Sequence, residues 1–153
     1  MEPIAESLEK LVPHRGKMLL LSKVLSFEEG NNSLLASVDI SQSSFFYDDK
    51  LNGVPVWVGF EYMAQAIAAL NGKNDLAKGQ EPGFGFILSV SNFIACTLCF
   101  KPNSTVLIYV EKEFEMDNMV VFNCSIKQGE EELAKASISA VKIKDVSEVK
   151  YES

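Results

Sequence analysis

Residues 55–70, Pro-Val-Trp-Val-Gly-Phe-Glu-Tyr-Met-Ala-Gln-Ala-Ile-Ala-Ala-Leu, constrain this chain more than any other stretch. Read as a helix, they leave almost no polar face, because Trp57, Phe60, Met63, Ala64, Ile67, Ala68 and Leu70 spread around the circumference. A helix that is apolar all round belongs inside a core. At a rise of ~1.5 Å per residue it spans a small domain. Pro55 and Gly59 suit the helix start, and Gly72 suits a C-cap. Glu61 and Gln65 interrupt the apolar run. Being four apart they share one stripe, which Trp57 extends backwards. A carboxylate near the start of a buried helix is the first candidate for chemistry.

The rest of the chain must supply the layer that buries this helix. Residues 4–12 carry apolar side chains at Ile4, Leu8, Leu11 and Val12, the pattern of a short amphipathic helix that Pro13-His14-Arg15-Gly16 ends. Lys17 to Glu28 reads as a long first strand, and Glu29-Gly-Asn-Asn32 as a turn into a return strand over Leu34 to Ile40. Residues 41–54 have no period and form a loop long enough to suspect function. Asn71 to Gly83 reads as a polar loop. Four further strands follow, over 84–100, 105–114, 119–127 and 133–144, joined by turns in a meander. In the third of these, Val120, Phe122, Cys124 and Ile126 share one face. Residues 145–153 look like a polar tail. No repeat or linker divides the 153 residues, so a single domain over 1–153 is expected. Antiparallel hairpins with one helix against them make an α+β domain. One helix cannot cover six strands, so the sheet is expected to continue into a second subunit.

Charge and composition narrow the partners. A net charge of −7 argues against nucleic acid or an anionic membrane, both of which need a basic footprint. No apolar run reaches the ~18 residues of a spanning helix. Met1-Glu-Pro-Ile-Ala-Glu6 has no signal-peptide pattern, so a cytoplasmic location is expected. The three cysteines, Cys96, Cys99 and Cys124, are expected to be free thiols. Cys96-Thr-Leu-Cys99 sits in a strand-like run, where residues three apart point to opposite faces. With one histidine in the chain, neither a metal site nor a cofactor is expected. No nucleophile elbow accompanies the serines, which argues against a serine hydrolase.

Two segments resemble a known family. Leu11-Val-Pro-His-Arg-Gly-Lys-Met-Leu-Leu-Leu21 is similar to the Pro-His-Arg segment that leads into a Leu-rich strand in the β-hydroxyacyl-acyl carrier protein dehydratases. Pro55-x5-Glu61-x-Met-Ala-Gln65 is similar to that family's Pro-Gly-x4-Glu-Ala-Met-Ala-Gln. The form Trp-Val-Gly-x-Glu-Tyr-Met-Ala-Gln is closer still to the dehydratase-like proteins of aryl-polyene gene clusters. The order of elements agrees over nearly the whole chain. The resemblance implies a hot-dog fold, an antiparallel sheet wrapped around one long central helix, and a homodimer or a heterodimer with another hot-dog protein. It implies a β-hydroxyacyl thioester substrate on the phosphopantetheine arm of an acyl carrier protein.

In that family the reaction is syn removal of water to a trans-2-enoyl thioester. A base takes the α-proton and an acid protonates the departing hydroxyl. The resemblance places the acid at Glu61, whose expected burial among Trp57, Tyr62 and Met63 would raise its carboxyl pKa. It places the catalytic His of the preceding loop near residue 47, where this chain has Tyr47, flanked by Phe46, Asp48 and Asp49. Tyrosine, with an ordinary pKa of ~10, is a poor base at neutral pH. His14, Tyr47 or a buried loop Asp are the candidates for the second half of the pair. Trp57 is expected to wall the core or a substrate tunnel and Gln65 to pack and hydrogen-bond. Backbone N–H groups near Gly59, at the helix start, are expected near the thioester oxygen. Leu88 and Ser89 lie in Phe84-Gly-Phe-Ile-Leu-Ser-Val-Ser-Asn92, the segment that lines the thioester and carrier side in relatives. Relatives tend to carry Gly and basic residues there, whereas this chain has Ser89, Ser91 and Asn92. Two other readings remain open. One is a non-catalytic subunit that stabilises a competent dehydratase. The other is a hot-dog thioesterase, against which both motifs argue.

Overall fold

The alternating apolar positions of the second half form long strands. A computed structural model describes residues 8–12, 16–80 and 86–142. Within them β1 (Lys23–Glu28), β2 (Ser33–Ile40), β4 (Phe86–Ala95), β6 (Ser104–Met116), β7 (Met119–Gln128) and β8 (Glu131–Lys142) make one antiparallel sheet. Short strands β3 (Val54–Pro55) and β5 (Cys99–Phe100) pair separately. Helix α1 (Leu8–Leu11) is brief, and α2 (Gly59–Ala77) is the long central helix. No helix among the described residues is long and apolar enough to cross a membrane. The arrangement is the α+β one expected, a sheet wrapped against one helix.

The strand order is β1-β2-β6-β7-β8-β4, which corrects the expected meander. β4 pairs with β8 rather than with β6. The reason lies in the connection. α2 carries the chain away from β2, so β4 is laid at the far edge, and the chain returns through β5 to place β6 beside β2. There Ile40 faces Ser104 and Ser33 faces Glu111. α2 packs over β1, β2, β6 and β7. The faces follow the period of two: Phe122, Cys124 and Ile126 are at most 4 % exposed and point to the core. Burial pushes the Cys124 thiol up to about 12.

Three expectations about local structure change. Gly72 does not end the central helix, which continues to Ala77. An ideal Cβ at Gly72 would stand 2.7 Å from the Leu11 carbonyl oxygen, so this glycine lets α1 lie directly on α2. The helix-ending signal was a packing signal. The long first strand is also shorter than expected. Gly16–Met18 is a 3-10 turn, and residues 19–22 lie outside any helix or strand ahead of β1. Finally, Cys96 to Leu98 form a bend rather than a continuous strand. The expected helix over residues 4–12 is seen at Leu8–Leu11, and residues 1–7 and the 145–153 tail lie outside the described residues.

Gly72→Val should push α1 off α2. Overpacking of this kind costs ~1–3 kcal/mol, so a melting temperature lower by about 2–12 °C is expected. An unchanged Tm would show that α1 does not depend on this contact. A thiol reagent at pH 8 should modify exposed Cys96 first and reach buried Cys124 only in denaturant. Thiol counting with and without guanidinium measures this.

Candidate active site

The start of α2 is assembled from a 3-10 turn, Val56–Val58, that runs straight into the helix at Gly59. Val56 N–H is held by the Leu98 carbonyl at 3.0 Å, which ties this turn to the 96–98 bend. The Gly59 N–H closes the turn onto the Val56 and Trp57 carbonyls. A Cβ at this position would meet Ile126 Cδ1 at 2.8 Å and the Phe100 ring at 3.2 Å. Gly59 is therefore a packing glycine whose own N–H is engaged in the turn.

Glu61 falls in the first turn of α2, where the helix dipole favours a carboxylate. It is half-buried, so the full apolar enclosure expected of it is not made by this chain alone. Its orientation comes from Gln65, one turn on, whose Nε2 donates to Glu61 Oε1 at 3.2 Å. Gln65 is completely buried. Its Oε1 accepts from Leu20 N–H at 2.8 Å and Leu21 N–H at 3.4 Å, and its Nε2 also donates to the Met18 carbonyl at 2.7 Å. These contacts explain why the first strand starts late. Residues 18–21 cross the helix, and their backbone groups are satisfied by an amide side chain instead of a neighbouring strand. Only Asn or Gln offers both two donors and an acceptor to such a segment. The amide orientation is fixed as well, since the two backbone N–H groups require an oxygen facing them.

The loop before the helix is ordered by its own side chains. Asp48 Oδ1 accepts from Lys50 N–H at 2.8 Å and Leu51 N–H at 3.3 Å, and Asp48 bridges to Gly53. That carboxylate is a turn acceptor. The Tyr47 hydroxyl donates to Asn52 Oδ1 at 2.6 Å, inside the same loop. Phe46 sits edge-on between Phe45, at 4.8 Å between ring centres, and Trp57, at 5.9 Å. Trp57 itself is 64 % exposed, so of its two expected roles, wall of the core or of a substrate tunnel, the first is not met within this chain.

A cleft of about 520 Å³ opens beside the helix, between the 17–20 segment, the end of β2 and the 41–46 loop, with buried Tyr62 in its lining. Leu88 and Ser89 lie elsewhere, on β4: Leu88 packs on the core, and exposed Ser89 pairs with Ser139 of β8. His14 lies outside the described residues. No group of three or more metal-ligating side chains occurs among the described residues. Glu61 and Gln65 are thus brought together, whereas Tyr47 is engaged within its loop. Sequence reasoning missed Tyr62. Its signal was the Glu-Tyr-Met-Ala-Gln form, with tyrosine where the dehydratase motif has alanine.

Comparison with known proteins gives consistent results. The ApeP-like family, described as ApeP dehydratase, matches residues 6–150. The 3-hydroxyacyl-[acyl-carrier-protein] dehydratase FabZ of Oenococcus oeni is 29 % identical over 118 residues, 75 % of this chain and 81 % of that protein. Among solved structures, the dehydratase heterocomplex ApeI:P from Xenorhabdus doucetiae superposes with a TM-score of 0.84 at 18 % identity, covering 93 % of this chain and 94 % of that one. An uncharacterized protein from Pyrococcus horikoshii gives 0.67 at 10 % identity, over 95 % of this chain and 97 % of that one. These likenesses establish the hot-dog fold.

Replacing Gln65 by Leu removes an amide that satisfies three backbone groups. Each buried group left unpaired costs ~1–3 kcal/mol, so a loss of ~3 kcal/mol or more and a fall in Tm of about 6 °C or more are expected. A Tm within a degree or two of the parent would mean that water satisfies the 18–21 backbone.

Proposed function

The chain belongs to the ApeP-like dehydratase family, and from that premise we propose that it serves the dehydration of 3-hydroxyacyl thioesters on an acyl carrier protein, contributing Glu61 to a site completed by a second hot-dog subunit. The observation that carries the reading is the placement of Glu61. It stands in the first turn of the buried helix and is oriented by Gln65, whose other hydrogen bonds go to the backbone. Gln65 fixes the direction of this group, and in its protonated form a carboxyl so directed can deliver a proton to a departing hydroxyl. In the elimination, a base removes the α-proton and the C–H pair becomes the C2–C3 double bond. The hydroxyl leaves with the Glu61 proton as water.

The base is assigned to the partner subunit. At the position expected for the loop histidine this chain has Tyr47, and its hydroxyl is donated to Asn52. His14 lies outside the described residues, and Tyr47, engaged within its own loop, supports a site shared with a partner. So does the surface around the helix start, where Phe45, Trp57 and Leu98 are 51 %, 64 % and 78 % exposed. Contiguous apolar exposure of this kind marks an interaction surface. β4 forms an edge of the sheet, with Val90 and Ile94 42 % and 48 % exposed, and a second sheet would cover it. The FabZ relative is named as an acyl-carrier-protein dehydratase, and the ApeI:P structure as a dehydratase heterocomplex. Both names support the substrate class and the paired assembly.

Hydration of a trans-2-enoyl thioester, followed by loss of enoyl absorbance, tests this. The chain alone is expected to be slow, and the chain with a second hot-dog dehydratase that carries the loop histidine to be fast. Glu61→Gln in this chain should lower kcat of the pair by about 10²–10⁴-fold, the usual contribution of a positioned acid. If the pair keeps its full kcat with Glu61→Gln, the chain is a stabilising subunit and the chemistry belongs wholly to its partner.

A further inference from the structure

The cleft beside α2 contains a polar group that the dehydration does not use. Tyr62 is 2 % exposed, and its hydroxyl has no hydrogen-bond partner among the described residues. Its ring is held against Phe100 at 5.7 Å between ring centres. Burial pushes the phenol well above its ordinary range, so it is a neutral donor at any pH where the protein works. A buried hydroxyl without a partner is destabilising, and phenylalanine would fill the same space without that cost.

Tyr62 lines the ~520 Å³ cleft together with apolar Leu20, Val38 and Phe46, and with Lys17, Ser43 and Ser44. That volume falls in the ~300–1,000 Å³ range of small-molecule sites. Glu61 is not in the lining of the cleft, but its chain neighbour Tyr62 is, and consecutive helical residues are turned by ~100° from each other. A thioester whose reacting carbons sit at Glu61 therefore places a different part of itself at Tyr62. The lining is mixed: Leu20, Val38 and Phe46 offer an apolar wall to hydrocarbon, while Lys17, Asp39 and the serines beside Tyr62 suit an oxygen carried on it.

We propose that this cleft is a subsite for the acyl chain beyond C3 and that Tyr62 selects acyl groups carrying a hydroxyl or carbonyl oxygen there, to which it donates a hydrogen bond. The proposal rests on the dehydration reading for the identity of the ligand as an acyl thioester. Its physical basis is the asymmetry of polar recognition: a site built to hydrogen-bond an oxygen discriminates against the analogue that lacks it, because the buried donor is then left unpaired.

The test uses the full chain and pantetheine thioesters as probes. One is the octanoyl thioester, and the others are octanoyl thioesters with one hydroxyl at each position beyond C3 in turn. Calorimetry on the parent protein should show at least one hydroxylated probe binding about five- to tenfold more tightly than octanoyl. Tyr62→Phe should abolish that preference, with a Tm equal to the parent's or higher. Equal affinity for all probes in the parent overturns the proposal, as does a preference that survives in Tyr62→Phe. A Tm lower by several degrees in Tyr62→Phe overturns it too, because the hydroxyl would then be held by trapped water and serve the fold. The enoyl hydration assay separates this from the underlying reading. Turnover without selectivity sinks the Tyr62 subsite and keeps the dehydration. Selectivity without turnover in any assembly keeps the subsite and sinks the reaction.

Discussion

The amide of Gln65 makes its four hydrogen bonds inside an otherwise apolar helix, and the placement of Glu61, of the 18–21 segment and of the start of β1 follows from them. A fully buried amide is tolerable only when every donor and acceptor is used. Here each is used, and all but one go to the backbone. The backbone of 18–21 in turn has no ladder partner, so it needs this side chain as much as the side chain needs it. The carboxylate of Glu61 is the one side-chain partner of this network, which gives a half-buried group a defined direction.

Close approach is the second constraint. α2 can lie against α1 because residue 72 has no Cβ, and the start of α2 can lie under Phe100 and Ile126 because residue 59 has none. The two glycines set where the helix begins to be covered and where it is crossed. Between them Tyr62 to Leu70 are all buried, which is what a helix apolar on every side requires. The helix covers β1, β2, β6 and β7, and the β4 side of the sheet is left with exposed Val90 and Ile94. The same incompleteness recurs at the helix start, with Trp57, Phe45 and Leu98. Both are surfaces that the proposed pairing with a second subunit would cover.

Much of this was legible in the sequence. The all-apolar 55–70 run announced a buried helix, the alternation over 119–127 announced a strand with one inward face, and the pair Glu61 and Gln65 announced a shared stripe. Local period and spacing suffice for these, because neighbours along a helix or strand meet by geometry alone. What misled was residue chemistry with more than one use. Gly72 read as a helix end because glycine caps helices, and here it makes room for a crossing segment. Met18 to Leu21 read as strand because it is apolar, and here its backbone bonds to a side chain more than forty residues away.

The sequence by itself determined the central helix, the inward face of the 119–127 strand, the acidic group on the helix and the family, since these rest on local pattern and short motifs. Only the tertiary structure decided that β4 lies beside β8, that Gln65 joins Glu61 to the 18–21 backbone, that Trp57 faces outward, and that Tyr62 is buried with no hydrogen-bond partner among the described residues. Each of these depends on which residues distant in the chain share a neighbourhood. One-dimensional period does not carry that information, because it is the burial of the whole helix against the whole sheet that selects the contacts.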